Sequence, residues 1–138
     1  RIHKNISKDE LSRSYQEITE FEEQLAADGT IILKFWLHIS KDEQKLRLKE
    51  LLDDKLTAWQ VSESDRFQHK KYDKFLEAAE DMLARTDSPH ASWTIVEAND
   101  PYFARIKVFE TIVNSIEAQL PADVLQRSRE EMRGAVNA

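Results

Sequence analysis

The chain has 138 residues, 41% of them hydrophobic and 33% charged, and it carries a formal net charge of −6. Because nucleic-acid binding relies on an excess of basic residues, this acidic balance argues against general nucleic-acid binding. The absence of cysteine excludes disulfides and thiolate metal sites, and no apolar run approaches the roughly 20 residues of a membrane-spanning helix. We therefore expect a single-domain cytoplasmic protein that contacts no membrane. The chain begins with Arg1 rather than Met, and we expect that an upstream segment belongs to the same protein.

The start and the end of the first predicted helix are both marked in the sequence. Ser7 and Glu10 have the spacing of a capping box, in which each side chain accepts a hydrogen bond from a backbone amide at the helix start. Asp28-Gly29 marks the end, because glycine readily takes the left-handed conformation that terminates helices. Apolar residues recur at helical spacing in between, at Leu11, Tyr15, Ile18, Phe21 and Leu25.

Residues 30–39 form the first predicted strand. Their apolar side chains do not alternate with polar ones, which is typical of a strand covered on both faces in a parallel sheet. A second capping box, from Ser40 to Glu43, then begins a helix that we predict to reach about Asp54. Its buried stripe is predicted to comprise Leu48, Leu51, Leu52 and Leu56.

A connector of residues 55–64 leads to a third predicted helix from about Asp65 to Arg85. Its apolar face is predicted to contain Tyr72, Phe75, Leu76, Ala79, Met82 and Leu83. The second predicted strand covers residues 93–98. Asp100 is then expected to cap a fourth helix, with Pro101 at the first position, where the missing amide hydrogen costs nothing. The core stripe of that helix is predicted to be Phe103, Ile106, Phe109, Ile112, Val113 and Ile116.

The order of these elements predicts an α/β fold that is mostly helical. Two strands connected through helices are expected to be parallel, with a right-handed crossover. Two strands alone make a poor sheet. We therefore expect that further strands come from an upstream segment of the polypeptide or from a partner chain.

The carboxyl ends of the two strands are a candidate ligand site, because ligands of open parallel sheets bind beyond these ends. Here the ends are His38-Ile39-Ser40 and Glu97-Ala98-Asn99-Asp100, and each leads into a predicted helix N-terminus. The free amides and the dipole of a helix N-terminus attract anions. Ser40 and Asp100 are, however, also residue types that cap helices for purely structural reasons, and both interpretations stay open.

Two rows of basic residues are a second candidate feature. The first row contains Lys41, Lys45 and Lys49, with Arg47 on a neighbouring face, and the second contains Arg66, Lys70 and Lys74, joined by His69 and Lys71. Such rows either bind phosphate groups or are solvated faces balanced by nearby acids. Trp59 lies in the connector, where we expect an indole to pack on a ligand or a neighbouring helix. The four histidines lack the spacing of a metal site, and no Gly-rich phosphate loop occurs in the chain.

Four blocks of the sequence resemble the polyphosphate kinase 2 family, which includes the polyphosphate:AMP phosphotransferases. The blocks are Leu33-Lys-Phe-Trp-Leu-His-Ile-Ser-Lys-Asp-Glu-Gln44, Met82-Leu-Ala-Arg-Thr86, Trp93-Thr-Ile-Val-Glu-Ala-Asn-Asp100 and Ala104-Arg-Ile-Lys-Val108. Glu20-Phe-Glu22 and Asp28-Gly29 fit the same pattern, so that the resemblance covers about Ile6 to Leu120.

The resemblance implies a three-layer P-loop kinase fold that this chain completes only in part. Residues 1–120 would be the second half of the domain, and residues 121–138 a helical extension or an interdomain linker. Polyphosphate would be the phosphoryl donor, a nucleoside mono- or diphosphate the acceptor, and Mg²⁺ would be held mainly by residues outside this chain. Because the Walker loops would lie upstream, no catalytic or metal-binding residue is assigned within the chain. A homo-oligomer is expected.

The resemblance also implies ligand-binding residues. Residues 55–85 correspond to the lid that closes over the phosphates. Arg47 matches a basic position of the helix leading to the lid, Asn99 and Asp100 match the polar strand end near the nucleotide, and Arg105 matches the arginine after the last strand. Together with Trp59, Lys70 and Lys71 of the lid, these are the predicted polyphosphate- or nucleotide-binding residues.

The lid departs from the family pattern, and this leaves alternative hypotheses. The family commonly has Asp-Pro-Leu-Lys-Arg-Trp-Lys, whereas this chain has Asp54-Lys-Leu-Thr-Ala-Trp-Gln60, and a further family arginine aligns with His69. Phosphoryl transfer depends on such cations. The chain therefore belongs either to an active polyphosphate-dependent nucleotide phosphotransferase or to a noncatalytic kinase-like domain of a tandem polyphosphate:AMP phosphotransferase, with a structural or regulatory role. A helical interaction module without a ligand is disfavoured by the resemblance, and the isolated chain is expected to be inactive.

Overall fold

A computed structural model describes residues 6–121, 123, 124 and 126 of the chain. The helices and strands are α1 (Lys8–Ala27), β1 (Lys34–His38), α2 (Lys41–Asp53), a 3-10 helix (Ala58–Gln60), α3 (Glu63–Lys70), α4 (Tyr72–Thr86), β2 (Trp93–Glu97) and α5 (Pro101–Glu117). None of these helices is both long enough and apolar enough to cross a membrane. The helical extension predicted for residues 121–138 lies outside the described residues except at 121, 123, 124 and 126.

Both predicted ends of α1 are confirmed. The Ser7 hydroxyl accepts a hydrogen bond from the Glu10 amide over 3.2 Å, and the Glu10 carboxylate accepts one from the Ser7 amide over 2.9 Å. At the other end Gly29 has a φ of 84°, and its amide and the next one donate to the carbonyls of Ala26 and Leu25. This pair of hydrogen bonds is a Schellman motif, which requires a residue with positive φ at this position.

The two strands pair in parallel, as predicted, with Lys34 opposite Trp93 and His38 opposite Glu97. Both strands are shorter than predicted, since β1 lacks residues 30–33 and 39 and β2 ends at Glu97. The described residues contain no further strand of this sheet. Residues 30–33 therefore have no neighbour with which to form the ladder of hydrogen bonds that defines a strand.

Helices lie on both faces of the two-stranded sheet. The buried core lies between the sheet and α5, and consists of Val96, Ala98 and Ala104 with Phe35, Ile39 and Val108 packed against them. Side chains of a strand alternate between its faces, so that Trp93 lies on the opposite side from Val96. There the Trp93 indole donates to the Thr86 hydroxyl of α4 over 2.9 Å. The fold is therefore an α/β fold, mostly helical, in three layers.

The strands are less covered than their sequences predicted. The Leu37 side chain of β1 is 58% exposed and that of Ile95 in β2 is 42% exposed. The prediction that both strands are covered on both faces is thus wrong for the described part of the chain. The physical reason is that α5 packs over Val96 on one face and α4 contacts Trp93 on the other, so that Leu37 and Ile95 lie beyond the parts of the faces that these helices cover.

The apolar stripe predicted as the core of α5 is exposed. Helix α5 packs on the sheet through Ala104 and Val108, and the stripe lies mainly on the other side of the helix. Of the predicted stripe, Ile112 alone is half-buried, whereas Phe103, Ile106, Phe109, Val113 and Ile116 are exposed. The predicted stripes of α1 and α2 likewise contain exposed members, which are Ile18, Phe21, Leu52 and Leu56.

The third predicted helix is two helices, α3 and α4, which are separated at Lys71. Lys71 has φ −111° and ψ 18°, and its amide donates to the carbonyls of the preceding turn. Neither glycine nor proline marks this break. A capping box that was not predicted begins α3, since the Ser62 hydroxyl accepts from the Asp65 amide and the Asp65 carboxylate accepts from the Ser62 amide.

Candidate functional site at the strand ends

The carboxyl ends of β1 and β2 lie side by side because the strands are parallel and in register. Beyond the last paired residues, the Ala98 amide still donates to the His38 carbonyl over 2.7 Å. Helices α2 and α5 begin directly after these ends, capped by Ser40 and Asp100. Both helix N-termini predicted from the sequence therefore lie at the same edge of the sheet.

The N-terminus of α5 is closed by its own cap. The Asp100 carboxylate accepts from the amides of Tyr102 and Phe103, over 2.8 Å and 3.3 Å. Pro101, the first residue of the helix, has no amide hydrogen. The first three positions of α5 thus leave no amide for an external anion, and the geometry supports the interpretation of Asp100 as a helix cap.

The N-terminus of α2 is capped in a different way from the one predicted. The Ser40 hydroxyl accepts from the Glu43 amide over 3.2 Å, which is one half of the predicted capping box. The other half is absent, because the Ser40 amide donates to the side-chain oxygen of Asn99 over 2.9 Å. The prediction of a complete second capping box is therefore wrong: a side chain from the other strand end takes the place of Glu43.

Arg47 connects the same residues from the other side. Its Nε donates to the Glu43 carboxylate over 2.6 Å, and its Nη2 donates to the carbonyls of Ala98 and Asn99 over 2.8 Å and 3.0 Å. Ser40, Glu43, Arg47 and Asn99 thereby form a closed cycle of hydrogen bonds, which we name the strand-end ring. Of the predicted ligand residues, the structure brings Arg47, Asn99 and Asp100 together at this edge.

Tyr72 attaches the start of α4 to the end of β1. Its hydroxyl donates to the Ile39 carbonyl over 2.7 Å and lies 3.5 Å from Nε2 of His38. Burial, followed by the nearby Asp73 carboxylate, raises the pKa of Tyr72 above its ordinary value, which itself lies well above neutral pH. Lys41 of α2 adds an ion pair to Asp73 over 2.7 Å.

The other predicted ligand residues lie apart from the strand-end ring. Trp59 is 78% exposed, and its indole donates to the carbonyl of Leu56 within the connector. Lys70 ends α3 and Lys71 follows it. The Arg105 guanidinium lies 5.6 Å from the centroid of the Tyr102 ring. Among the described residues, no hydrogen bond or ion pair connects Trp59, Lys70, Lys71 or Arg105 to the ring.

The two predicted basic rows meet at a hollow between α2 and α3. This hollow has a volume of about 380 Å³ and is lined by Lys45, Lys49, Arg66 and His69 together with Leu48, Leu52, Asp53 and Val61. The described part of the chain offers no ion-pair partner to Lys45, Lys49 or Arg66, and His69 Nδ1 lies 2.8 Å from the side-chain oxygen of Gln44. The sequence had placed these cations in two separate rows, and the packing of α3 on α2 combines part of each.

The described residues contain no group of three or more His, Asp or Glu side chains arranged to hold a metal ion. The acids nearest the strand ends are already engaged. Lys107 donates to the Glu97 carboxylate over 2.7 Å and thereby lowers the pKa of Glu97, while Asp100 caps α5. The carboxylates of Glu97 and Asp100, held in these contacts, therefore do not fit a Mg²⁺ site.

Known proteins resemble this chain over most of its length. It is 44% identical over 111 residues to the polyphosphate:AMP phosphotransferase of Pseudomonas aeruginosa, which covers 80% of this chain and 22% of that protein. It is 35% identical over 117 residues to the AMP/ADP-polyphosphate phosphotransferase of Meiothermus ruber, which covers 85% of this chain and 44% of the relative. The chain thus spans less than half the length of either relative.

Solved structures match the fold. The crystal structure of polyphosphate kinase 2 from Arthrobacter aurescens matches with a TM-score of 0.82 and 31% identity, over 95% of this chain and 49% of that one. A putative polyphosphate kinase 2 from Pseudomonas aeruginosa matches with a TM-score of 0.80 and 42% identity, over 86% of this chain and 25% of that one. The sequence profile of the family Polyphosphate kinase 2 matches residues 1–123. The chain therefore belongs to the polyphosphate kinase 2 family.

Proposed function

We propose that this chain is part of a polyphosphate-dependent nucleotide phosphotransferase. The enzyme would transfer a phosphoryl group from polyphosphate to AMP or ADP, or catalyse the reverse reaction. The observation that carries the proposal is the family match over residues 1–123, and the names of the relatives from Pseudomonas aeruginosa and Meiothermus ruber give the substrate class. A cytoplasmic location, which the absence of cysteine favours, is part of the proposal, and so is self-association, which was expected together with the family resemblance.

We infer that the chain forms one half of a P-loop kinase domain. The share of 49% that it covers of the Arthrobacter aurescens structure supports this inference. The exposed stripe of α5 and the exposed Leu37 and Ile95 support it too, because apolar faces of this extent are normally covered. The phosphate-binding Walker loops would lie in the other half. Residues 55–85 would form the lid, and residues 121–138 an extension or a linker.

Within such a domain the described residues would bind and orient the substrates. The strand ends would present one edge of the sheet to the nucleotide, where open parallel sheets bind their ligands. The unpaired Lys45 and Lys49 beside the lid and Arg66 within it would neutralise phosphate charge as the lid closes. Mg²⁺, when bound, supplies further charge neutralisation. Since the described acids do not fit a metal site, we propose that Mg²⁺ is held outside this chain.

Polyphosphate-dependent phosphorylation of AMP and ADP tests the proposal in the complete protein that carries this chain and in the isolated chain. We expect turnover by the complete protein and none by the isolated chain, which lacks a Gly-rich phosphate loop. Turnover by the isolated chain would contradict the half-domain inference. Turnover by the complete protein that is unchanged when Lys45, Lys49 and Arg66 are all replaced by methionine would favour the alternative, a noncatalytic kinase-like domain with a structural or regulatory role, because a second domain of the tandem protein would then carry the catalysis.

A further inference from the structure

We propose that Arg47 is a positioning residue that sets the geometry of the strand ends, and that it does not itself bind phosphate. It would act through Asn99, whose backbone and side chain connect the end of β2 to the start of α2. The structural part of this inference stands on the hydrogen bonds of the strand-end ring. Its consequence for turnover rests on the proposed function.

The start of α2 differs from the starts of two other helices in the described part of the chain. In α1 and α3 the N-cap serine and the acid three residues later bind each other reciprocally, so that each cap is closed within its own helix. In α2 the Ser40 amide donates to Asn99, which lies 59 residues further along the chain. The cap of α2 therefore depends on the position of the β2 end.

This exchange of partners frees Glu43 to hold Arg47. The Glu43 carboxylate, which would otherwise bind the Ser40 amide, accepts from Arg47 Nε over 2.6 Å. That ion pair neutralises the guanidinium locally and fixes its direction. The Nη2 nitrogen of the same guanidinium then donates to the carbonyls of both Ala98 and Asn99. A guanidinium holds Nε and Nη2 in one plane, so that one side chain binds the Glu43 carboxylate and the two carbonyls from different nitrogens, whereas an ammonium group has only one nitrogen.

A phosphate group could recruit Arg47 only at the expense of these bonds. Leaving the ring would deprive Glu43 of its cation and the two carbonyls of their donor, and partly buried polar groups without partners are costly. By contrast, a fixed Arg47 holds the peptide of Asn99 directly before Asp100, the cap of α5. Small displacements of positioning groups are known to lower turnover strongly.

Amide hydrogen exchange of Ser40 in the complete protein tests the ring without reference to activity. The variants are Arg47→Met and Asn99→Ala, with Arg85→Met as the matched control. Arg85 also forms an ion pair with an acid four residues earlier, over 2.9 Å to Asp81. We expect about tenfold faster exchange of the Ser40 amide in both ring variants and no change in the control. Unchanged exchange in Arg47→Met would overturn the ring as a coupled unit.

A double-mutant cycle in the same protein then tests positioning against phosphate binding. If Arg47 acts through Asn99, each single variant lowers kcat by about tenfold and the double variant adds little, because coupled residues are not additive. Arg47→Lys should be intermediate, and the KM for polyphosphate should stay within about twofold. The proposal would be overturned by a raised KM for polyphosphate together with a loss of kcat in the double variant equal to the product of the two single losses. Arg47 would then be a residue that binds phosphate. Absence of turnover in the unsubstituted protein would count against the proposed function alone, since the exchange measurement stands by itself.

Discussion

Lys34 and Glu22 form an ion pair that is almost fully shielded from water. Their charged atoms lie 2.7 Å apart, and the two side chains are 10% and 13% exposed. The same ammonium group donates to the carbonyl of Thr86 and lies 5.1 Å from the centroid of the Trp93 ring. Lys34 therefore joins α1, α4 and β2 around the first residue of β1.

Replacement of Lys34 by methionine should strongly destabilise the protein. Removing one partner of a buried pair leaves the Glu22 carboxylate without its cation, and we expect a loss of about 3 kcal/mol in the free energy of unfolding, measured by urea denaturation. The additional change Glu22→Leu should restore most of that loss. Arg13→Met is the control, because its pair with Glu17 is largely exposed and should contribute less than about 0.5 kcal/mol. Equal losses in Lys34→Met and Arg13→Met would contradict the assignment of a buried pair.

The capping box of α3 should make the start of the lid sensitive to acid. The hydrogen bond from the Ser62 hydroxyl, followed by that from its amide, lowers the pKa of Asp65. A carboxylate whose pKa is lower in the folded state stabilises that state above its unfolded pKa, and this contribution is lost as the pH falls through the folded pKa. Ser62→Ala should therefore raise the pKa of Asp65 toward its ordinary value in an NMR titration.

Ser64→Ala is the matched control for this titration. Its hydroxyl accepts a hydrogen bond from Gln68, over 3.3 Å, and takes no part in the capping box. We expect the Asp65 titration to be unchanged in this variant. If both serine variants shift the titration equally, the cap hydrogen bond is not the cause.

Features that depend on neighbours in the chain could be predicted from the sequence. The caps at Ser7 and Asp100 and the helix end at Gly29 were all predicted correctly, because each is formed by residues a few positions apart. The parallel pairing of the strands also followed, since a helical connection permits little else. The Ser62 box has the same kind of local signal as Ser7, in its serine and the acid three residues later, and it could have been found.

Features that depend on distant residues could not be predicted from the residue pattern. Nothing near Ser40 indicates that Asn99 will take its amide, and nothing near Lys71 marks a helix break. Arg47 was predicted by resemblance, but its partners at the end of β2 became known only from the fold. The apolar stripe of α5 shows a second limit of prediction from the residue pattern. Periodicity identifies an apolar face of a helix but does not tell which segment covers that face.

Substitution of Phe109 should distinguish a half domain from a complete one. The side chain is 66% exposed in the described chain, so that Phe109→Ser should change the free energy of unfolding of the isolated chain by less than about 0.5 kcal/mol. In the complete protein, where we propose that this stripe is covered, the same change should cost about 3 kcal/mol. Val108→Ser is the control, because Val108 packs on the core and should destabilise both proteins. A small effect of Phe109→Ser in both proteins would contradict the proposed cover.

Restoring basic residues around Trp59 should strengthen polyphosphate binding by the complete protein. Ala58 and Gln60 flank Trp59 in the 3-10 helix of the proposed lid, and Arg66 of the lid already lies with Lys45 and Lys49 of α2 at the hollow between α2 and α3. We expect Ala58→Arg combined with Gln60→Lys to lower the Kd for polyphosphate by about tenfold, equivalent to about 1.4 kcal/mol. The gain should shrink as salt increases, because exposed charges are screened.

The control for this gain carries the same added charge at the other end of the sheet. Ala118 and Gln119 line a hollow beside Thr30, before the start of β1, and Ala118→Arg with Gln119→Lys should leave the affinity within about twofold, since screening limits charge effects over such distances. Both pairs are compared in one titration at fixed ionic strength. An unchanged Kd in the lid variant would mean that residues 58–60 do not meet phosphate in the closed protein. Equal gains in the two variants would mean that net charge alone governs binding, and that the lid has no special role in it.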